Sequence, residues 1–139
     1  MTRQNHCRGT RDERGAVLVE FAIVLPVLLM LVFGIIQWSI FFNRQQGLQA
    51  AAREGARVAA LPQSTQSDIK AKVTSALAGV LPSGTTPTIT VSPATSNPCD
   101  LQPPGTSVTV TVKVSTDINI PLWRSETVTQ TGTGVFKCE

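Results

Sequence analysis

The chain has 139 residues, room for one small domain and one further element. Its 12 Lys/Arg against 9 Asp/Glu leave a net charge of +3, with +2 in the first fifteen residues and +2 after Phe42. No dense basic stripe and no alternation of aromatic with basic residues occurs, which argues against a nucleic-acid surface.

Residues 1–15 form a polar leader containing Arg3, Arg8, Arg11 and Arg14. His6 and Cys7 are adjacent metal-ligand types, but two such residues make an incomplete metal site, and they read as a solvated tail. His6 is also the sole histidine, so a Ser-His-Asp or Cys-His arrangement downstream is excluded. No glycine-rich phosphate loop and no closely spaced carboxylate pair appears. The expectation is a non-catalytic protein with no metal, cofactor or small-molecule substrate.

From Ala16 to Phe42, twenty-seven residues run with Glu20 as the single ionisable group. As a helix this segment is about 40 Å long, against a hydrocarbon core of about 30 Å, so it can cross a bilayer and emerge. A cleavable secretory signal would have roughly 7–15 apolar residues and then a small-residue site. Here the first small cluster, Ala50-Ala51-Ala52, comes well after the run and inside a helical pattern. The arginines before the span set the N-terminus in the cytoplasm and the C-terminal part outside, with Arg44, Arg53 and Arg57 pulling weakly the other way. Pro26 and Gly34 interrupt the helix, which membrane helices tolerate.

Glu20 needs an explanation, because a charge deep in a bilayer costs about 2.5–3.5 kcal/mol on insertion scales. Two explanations stand at this point. A cut between Gly15 and Ala16 would give Ala16 a free α-ammonium group, able to neutralise Glu20 of its own or a neighbouring chain. Alternatively, Glu20 marks the start of the helix, where the dipole favours an anion.

Beyond the span, residues 43–61 continue with helical spacing. Gly47, Ala51, Gly55 and Ala59 form a ridge of very small side chains, with Leu48, Ala52, Ala56 and Ala60 beside it. Gln46, Gln49, Arg53 and Arg57 fall on roughly the opposite face. Such a ridge lets helix backbones approach closely. It serves either the protein's own domain or packing against other subunits. Pro62 is expected to end this helix.

Residues 62–139 read as a small α+β domain. Gln63 to Val80 is a second helix, capped by Ser64 or Ser67, with Ile69, Val73, Leu77 and Val80 on one face. Pro82-Ser83-Gly84 marks a turn, and Thr88 to Ser92 alternates as a strand. The proline-rich stretch 97–105 is a loop. Val108, Val110, Val112 and Val114 alternate with polar residues, and the apolar pattern returns at Ile118, Ile120 and Leu122, the signature of a half-buried antiparallel strand. Pro121 and Trp123 sit in the connection. Thr127 to Phe136 is a Thr-rich strand weakened by Gly132 and Gly134.

Three cysteines are unevenly placed. If the part after the span is exported, the odd count becomes a Cys99–Cys138 disulfide plus one thiol left in the reducing compartment. A bridge over a loop of roughly forty residues contributes about 3–4 kcal/mol. The alternative is two unrelated thiols.

The string RGAVLVEFAIVLPVLLMLVFGIIQWSIFF followed by LQAAAREGARVAAL resembles the TadE-like family. These are pseudopilins or minor pilins of the tight adherence (Flp) machinery, a branch of the type IV pilus superfamily. The likeness is close from Arg14 to Leu61, and further downstream it is one of layout. It implies that a prepilin peptidase cuts between Gly15 and Ala16, with Glu20 at the characteristic acidic position. It also implies a subunit that enters or primes a pilus for adherence, with its helix packed among other pilin subunits. The implied partners are the bilayer, those subunits, the peptidase and the pilus assembly platform. The implied location is the cytoplasmic membrane, crossed once. Glu20 is followed by Phe21 where related major pilins commonly have Tyr. The chain is also longer than those major pilins, which favours a minor or priming role. The competing expectation is a signal-anchored envelope protein whose exported domain binds a ligand or surface.

Overall fold

The structure, a computed structural model, describes residues 11–100, 102–119 and 125–138, and the side chains of 15–100, 102–117 and 126–138. His6, Cys7, Pro121 and Trp123 lie outside these residues. The elements in order are α1 (Arg11–Ala59), α2 (Gln66–Ala76), β1 (Thr88–Ser92), β2 (Ser107–Asn119) and β3 (Ser125–Lys137). This is the expected α+β class, with a long apolar helix, a short helix and an antiparallel sheet. The chain divides into two compact units, one ending at Ser39 and one running from Ile40. Residues 43–61 therefore share a unit with residues 62–139.

In the first unit, α1 runs through Pro26. Every side chain from Ala16 to Ile36 is exposed. Val, Leu, Ile and Phe in such numbers make a helix long and apolar enough to cross a membrane.

In the second unit, α1 ends at Ala59, two residues earlier than expected. Pro62 disfavours the α conformation at Leu61, and the last turn tightens, with Leu61 N–H donating to the Val58 carbonyl at 3.1 Å. Helix α2 is also shorter than expected and starts three residues later. Its N-cap is Thr65, not Ser64 or Ser67. The reason is Asp68, which stands three residues after Thr65 and completes a capping box. Asp68 N–H donates to Thr65 Oγ1 at 3.3 Å, and Thr65 N–H donates to Asp68 Oδ2 at 3.1 Å. The Thr65 hydroxyl also donates to that carboxylate at 2.6 Å. This hydroxyl bond first, and the backbone bond second, hold the Asp68 carboxyl below its ordinary range. The far end stops at Leu77, two residues before Gly79, whose φ of +86° lies in the left-handed region.

The sheet has the order β1-β2-β3, all antiparallel. On β2 the alternation holds: Val108, Val110, Val112 and Val114 are at most 1% exposed, while Lys113, Ser115 and Asp117 are exposed. The core brings these valines together with Leu48, Ala52 and Ala56 of α1, Ile69 and Val73 of α2, Leu77 beyond it, and Val91 of β1. Strand β3 is longer than its two glycines suggested and pairs with β2 from Ser125 to Lys137.

Candidate functional site

Gly15, Ala16 and Glu20, the residues expected at a processing site, lie on α1 and are exposed. Among the described residues, a Cβ added at Gly15 would meet nothing within 4 Å. Glu20 sits on the helix surface beside Val17, Phe21 and Val24.

The small-residue ridge has a different setting. Ala51 and Ala59 are at most 1% exposed, and Gly55 is buried while Gly47 is half-buried. A Cβ at Gly47 would collide with the Val80 side chain. One at Gly55 would collide with Val73 and press on Val110 Cγ1. The ridge expected to serve either other subunits or the protein's own domain is thus occupied by α2, the turn after it and β2 of the same chain.

The second ridge, through Leu48 and Ala52, faces β3. A Cβ at Gly132 would strike the Leu48 carbonyl, and one at Gly134 would strike the Ala52 carbonyl. Here strand and helix meet backbone against backbone, so both positions require glycine for space. Three glutamines complete the seam. Gln45 Nε2 donates to the Thr131 carbonyl at 3.0 Å, and Thr133 N–H donates to Gln49 Oε1 at 3.4 Å. Both strand groups lie on the edge of β3 away from β2, which would otherwise offer unpaired hydrogen-bonding groups. Gln130, 4% exposed, donates from Nε2 to the Phe41 carbonyl at 3.0 Å.

Cys99 and Cys138 form a disulfide, with Cα atoms 5.5 Å apart. It ties the loop after β1 to the residue after β3. Cys138 N–H also donates to the Thr106 carbonyl at 2.8 Å, and Gly105 N–H donates to the Cys138 carbonyl at 3.0 Å. Among the described residues no group of three or more His, Cys, Asp or Glu could hold a metal ion.

One unit presents an apolar helix for lipid or for other helices, and the other presents a disulfide-closed sheet seated on the same helix. The apolar helix fits a single-pass membrane anchor. Residues 15–57 match the family model described as TadE-like protein, the family whose likeness is carried by Arg14 to Leu61. The match supports a pilin-like protein associated with a Tad pilus, with the membrane and other pilus components as its partners. No curated protein and no solved structure matches the chain.

Proposed function

We propose that this chain is a minor, pilin-like subunit that enters or primes a Tad-type pilus serving adherence. Residues 16–42 hold it in the cytoplasmic membrane, N-terminus inside, with the domain from residue 43 onward outside. The prepilin peptidase removes residues 1–15, and the assembly platform then receives the mature chain. The observation that carries this reading is the exposure of every side chain from Ala16 to Ile36, in a segment that matches a pilin-like family. Such a surface needs lipid before assembly and other helices after it.

Cleavage before Ala16 creates an α-ammonium group four residues from Glu20. In the apolar surroundings of a membrane or a filament core, that charge offsets the cost of burying the carboxylate. The Cys99–Cys138 disulfide supports the outward orientation, since disulfides persist in oxidising compartments.

The test is intact mass of the protein from its native host, beside a Gly15→Val variant. The expected result is loss of residues 1–15 from the wild type, a full-length precursor in the variant, and fewer pili in Glu20→Gln cells. A wild-type chain that keeps residues 1–15 overturns the processing step. Normal piliation after deletion of the gene would leave the protein a signal-anchored envelope protein instead.

A further inference from the structure

The outer face of the sheet, turned away from the core, has a step in it. Strand β1 begins at Thr88, opposite Lys113, while β2 and β3 run on as a pair to Asn119 and Ser125. Beyond Lys113, β2 therefore has no strand beside it on that side. The chain leading into β1 makes a tight turn before it, with Thr85 N–H donating to the Pro82 carbonyl at 3.2 Å. Gly84 holds a φ of +90° in that turn, a conformation glycine adopts without strain. A cavity of about 490 Å³ opens at the step. Gly84, Thr85, Thr86 and Thr88 line one part of it, and Lys113, Ser115 and Thr129 line the rest. Its size falls within the range of small-molecule sites, about 300–1,000 Å³.

We infer that this cavity binds an acidic saccharide unit, with Lys113 meeting its carboxylate and the surrounding hydroxyls meeting its own. The side chains that line it are one ammonium and five hydroxyls, with no carboxylate and no aromatic ring. An apolar ligand gains little from such walls. A sugar matches them, because each hydroxyl on either side can both donate and accept. Ser115 and Thr129 already stand as a pair, their hydroxyl oxygens 3.2 Å apart, and one bond between them leaves further capacity on both. The charge at Lys113 is not neutralised along its own face. Thr88 and Thr131 flank it in register. Asp117, four residues further on, lies about 13 Å away at 3.3 Å per residue, beyond the Debye length at physiological salt. That carboxylate accepts instead from the Thr127 hydroxyl at 2.6 Å. One positive charge among hydroxyls selects one negative charge on a polyol, the chemistry of a uronic acid. A bare inorganic anion would use the charge and leave most of the hydroxyls to water. All the lining residues lie in the second compact unit, and the inference does not rest on the chain joining a pilus.

The test uses the isotope-labelled, full-length protein in uncharged detergent micelles, titrated separately with methyl β-D-glucuronide, methyl β-D-glucoside and acetate. Binding is read from amide chemical shifts. The expected result is that the glucuronide moves the amides of Thr85, Thr86, Lys113, Ser115 and Thr129 saturably. It binds about fivefold more tightly than the glucoside at low salt, the size of an exposed ion pair, and added salt shrinks that preference. Lys113→Gln abolishes the preference and leaves the glucoside's affinity and the rest of the spectrum unchanged. Thr86→Val removes one hydroxyl and keeps the branched shape, and it weakens both sugars about fivefold. Absence of a saturable shift at these amides overturns the proposal, as does equal affinity for the two sugars. Acetate binding there as tightly as the glucuronide overturns it too, since the site then takes any small anion. Loss of the preference in Lys137→Gln as well as in Lys113→Gln has the same force, because the effect is then one of overall charge. No pilus component is present, so none of these outcomes depends on whether the chain is a pilus subunit.

Discussion

Two stretches of α1 do opposite things with apolar side chains. From Ala16 to Ile36 the residues are mostly large and all exposed, whereas from Leu48 to Ala60 the apolar ones are mostly alanine and mostly buried. The bulky stretch leaves its contacts to lipid or to other chains. The small stretch lets β3 close on the helix backbone against backbone, and lets side chains of α2 and the turn after it seat on its glycines. Residue size, more than hydrophobicity, marks which part of the helix belongs to this domain. A helix that packs on its own domain needs grooves, and one that packs on lipid needs bulk.

This contrast can be broken most severely at the backbone seam. Gly134→Val drives side-chain carbons into the Ala52 carbonyl. Neither helix nor strand backbone can yield, so the expected loss exceeds about 4 kcal/mol, seen as absence of a cooperative thermal transition of the detergent-solubilised protein. A melting curve like that of the wild type would refute the backbone seat. Next, Cys99→Ser opens a loop whose ends are 39 residues apart, with an expected loss of about 4 kcal/mol in the chain-entropy model. Reduction of the wild type should lower its midpoint to match.

The comparison is sharpest in a pair of identical substitutions on the one helix. Leu48→Ala, at a fully buried site, is expected to cost the domain about 3 kcal/mol. Leu28→Ala, at an exposed site, is expected to leave the domain's melting unchanged. Equal effects would mean that the two stretches do not differ as described.

The smallest effect is at the cap of α2. Thr65→Ala removes the capping box and costs about 1 kcal/mol. It also changes the pH response. The folded-state pKa of Asp68 is lowered by Thr65, so its contribution is present above the ordinary carboxylate pKa and is lost as pH falls through the lowered folded value. Below about pH 4 the wild type should therefore lose stability more steeply than Thr65→Ala, as read by denaturant titration at several pH values.

Much of this fold is legible in the residues. The valine alternation on β2 has a period of two that no helix satisfies, and the Thr88–Ser92 strand has the same mark. The span from Ala16 is legible from length alone. The N-cap of α2 is harder, because Ser64, Thr65 and Ser67 compete, and only the acid at Asp68, three residues after Thr65, separates them. The partner of the small-residue ridge is not legible from α1 at all, since the same spacing suits any close neighbour. Its complement lies about eighty residues away in Gly132-x-Gly134, where two glycines on the inward face of a strand signal a close backbone approach and not a weak strand. Gly15 and Glu20, the residues proposed for processing, are legible as a spacing, and both are exposed on α1.

The lengthwise seating of β3 on α1 has a mechanical corollary. Gln130, Thr131, Gly132 and Gly134 meet the helix at successive levels from Phe41 to Ala52. Tension applied along the helix axis therefore loads these contacts side by side in shear. They must give way together, where a domain joined to its helix at one end would peel off one contact at a time.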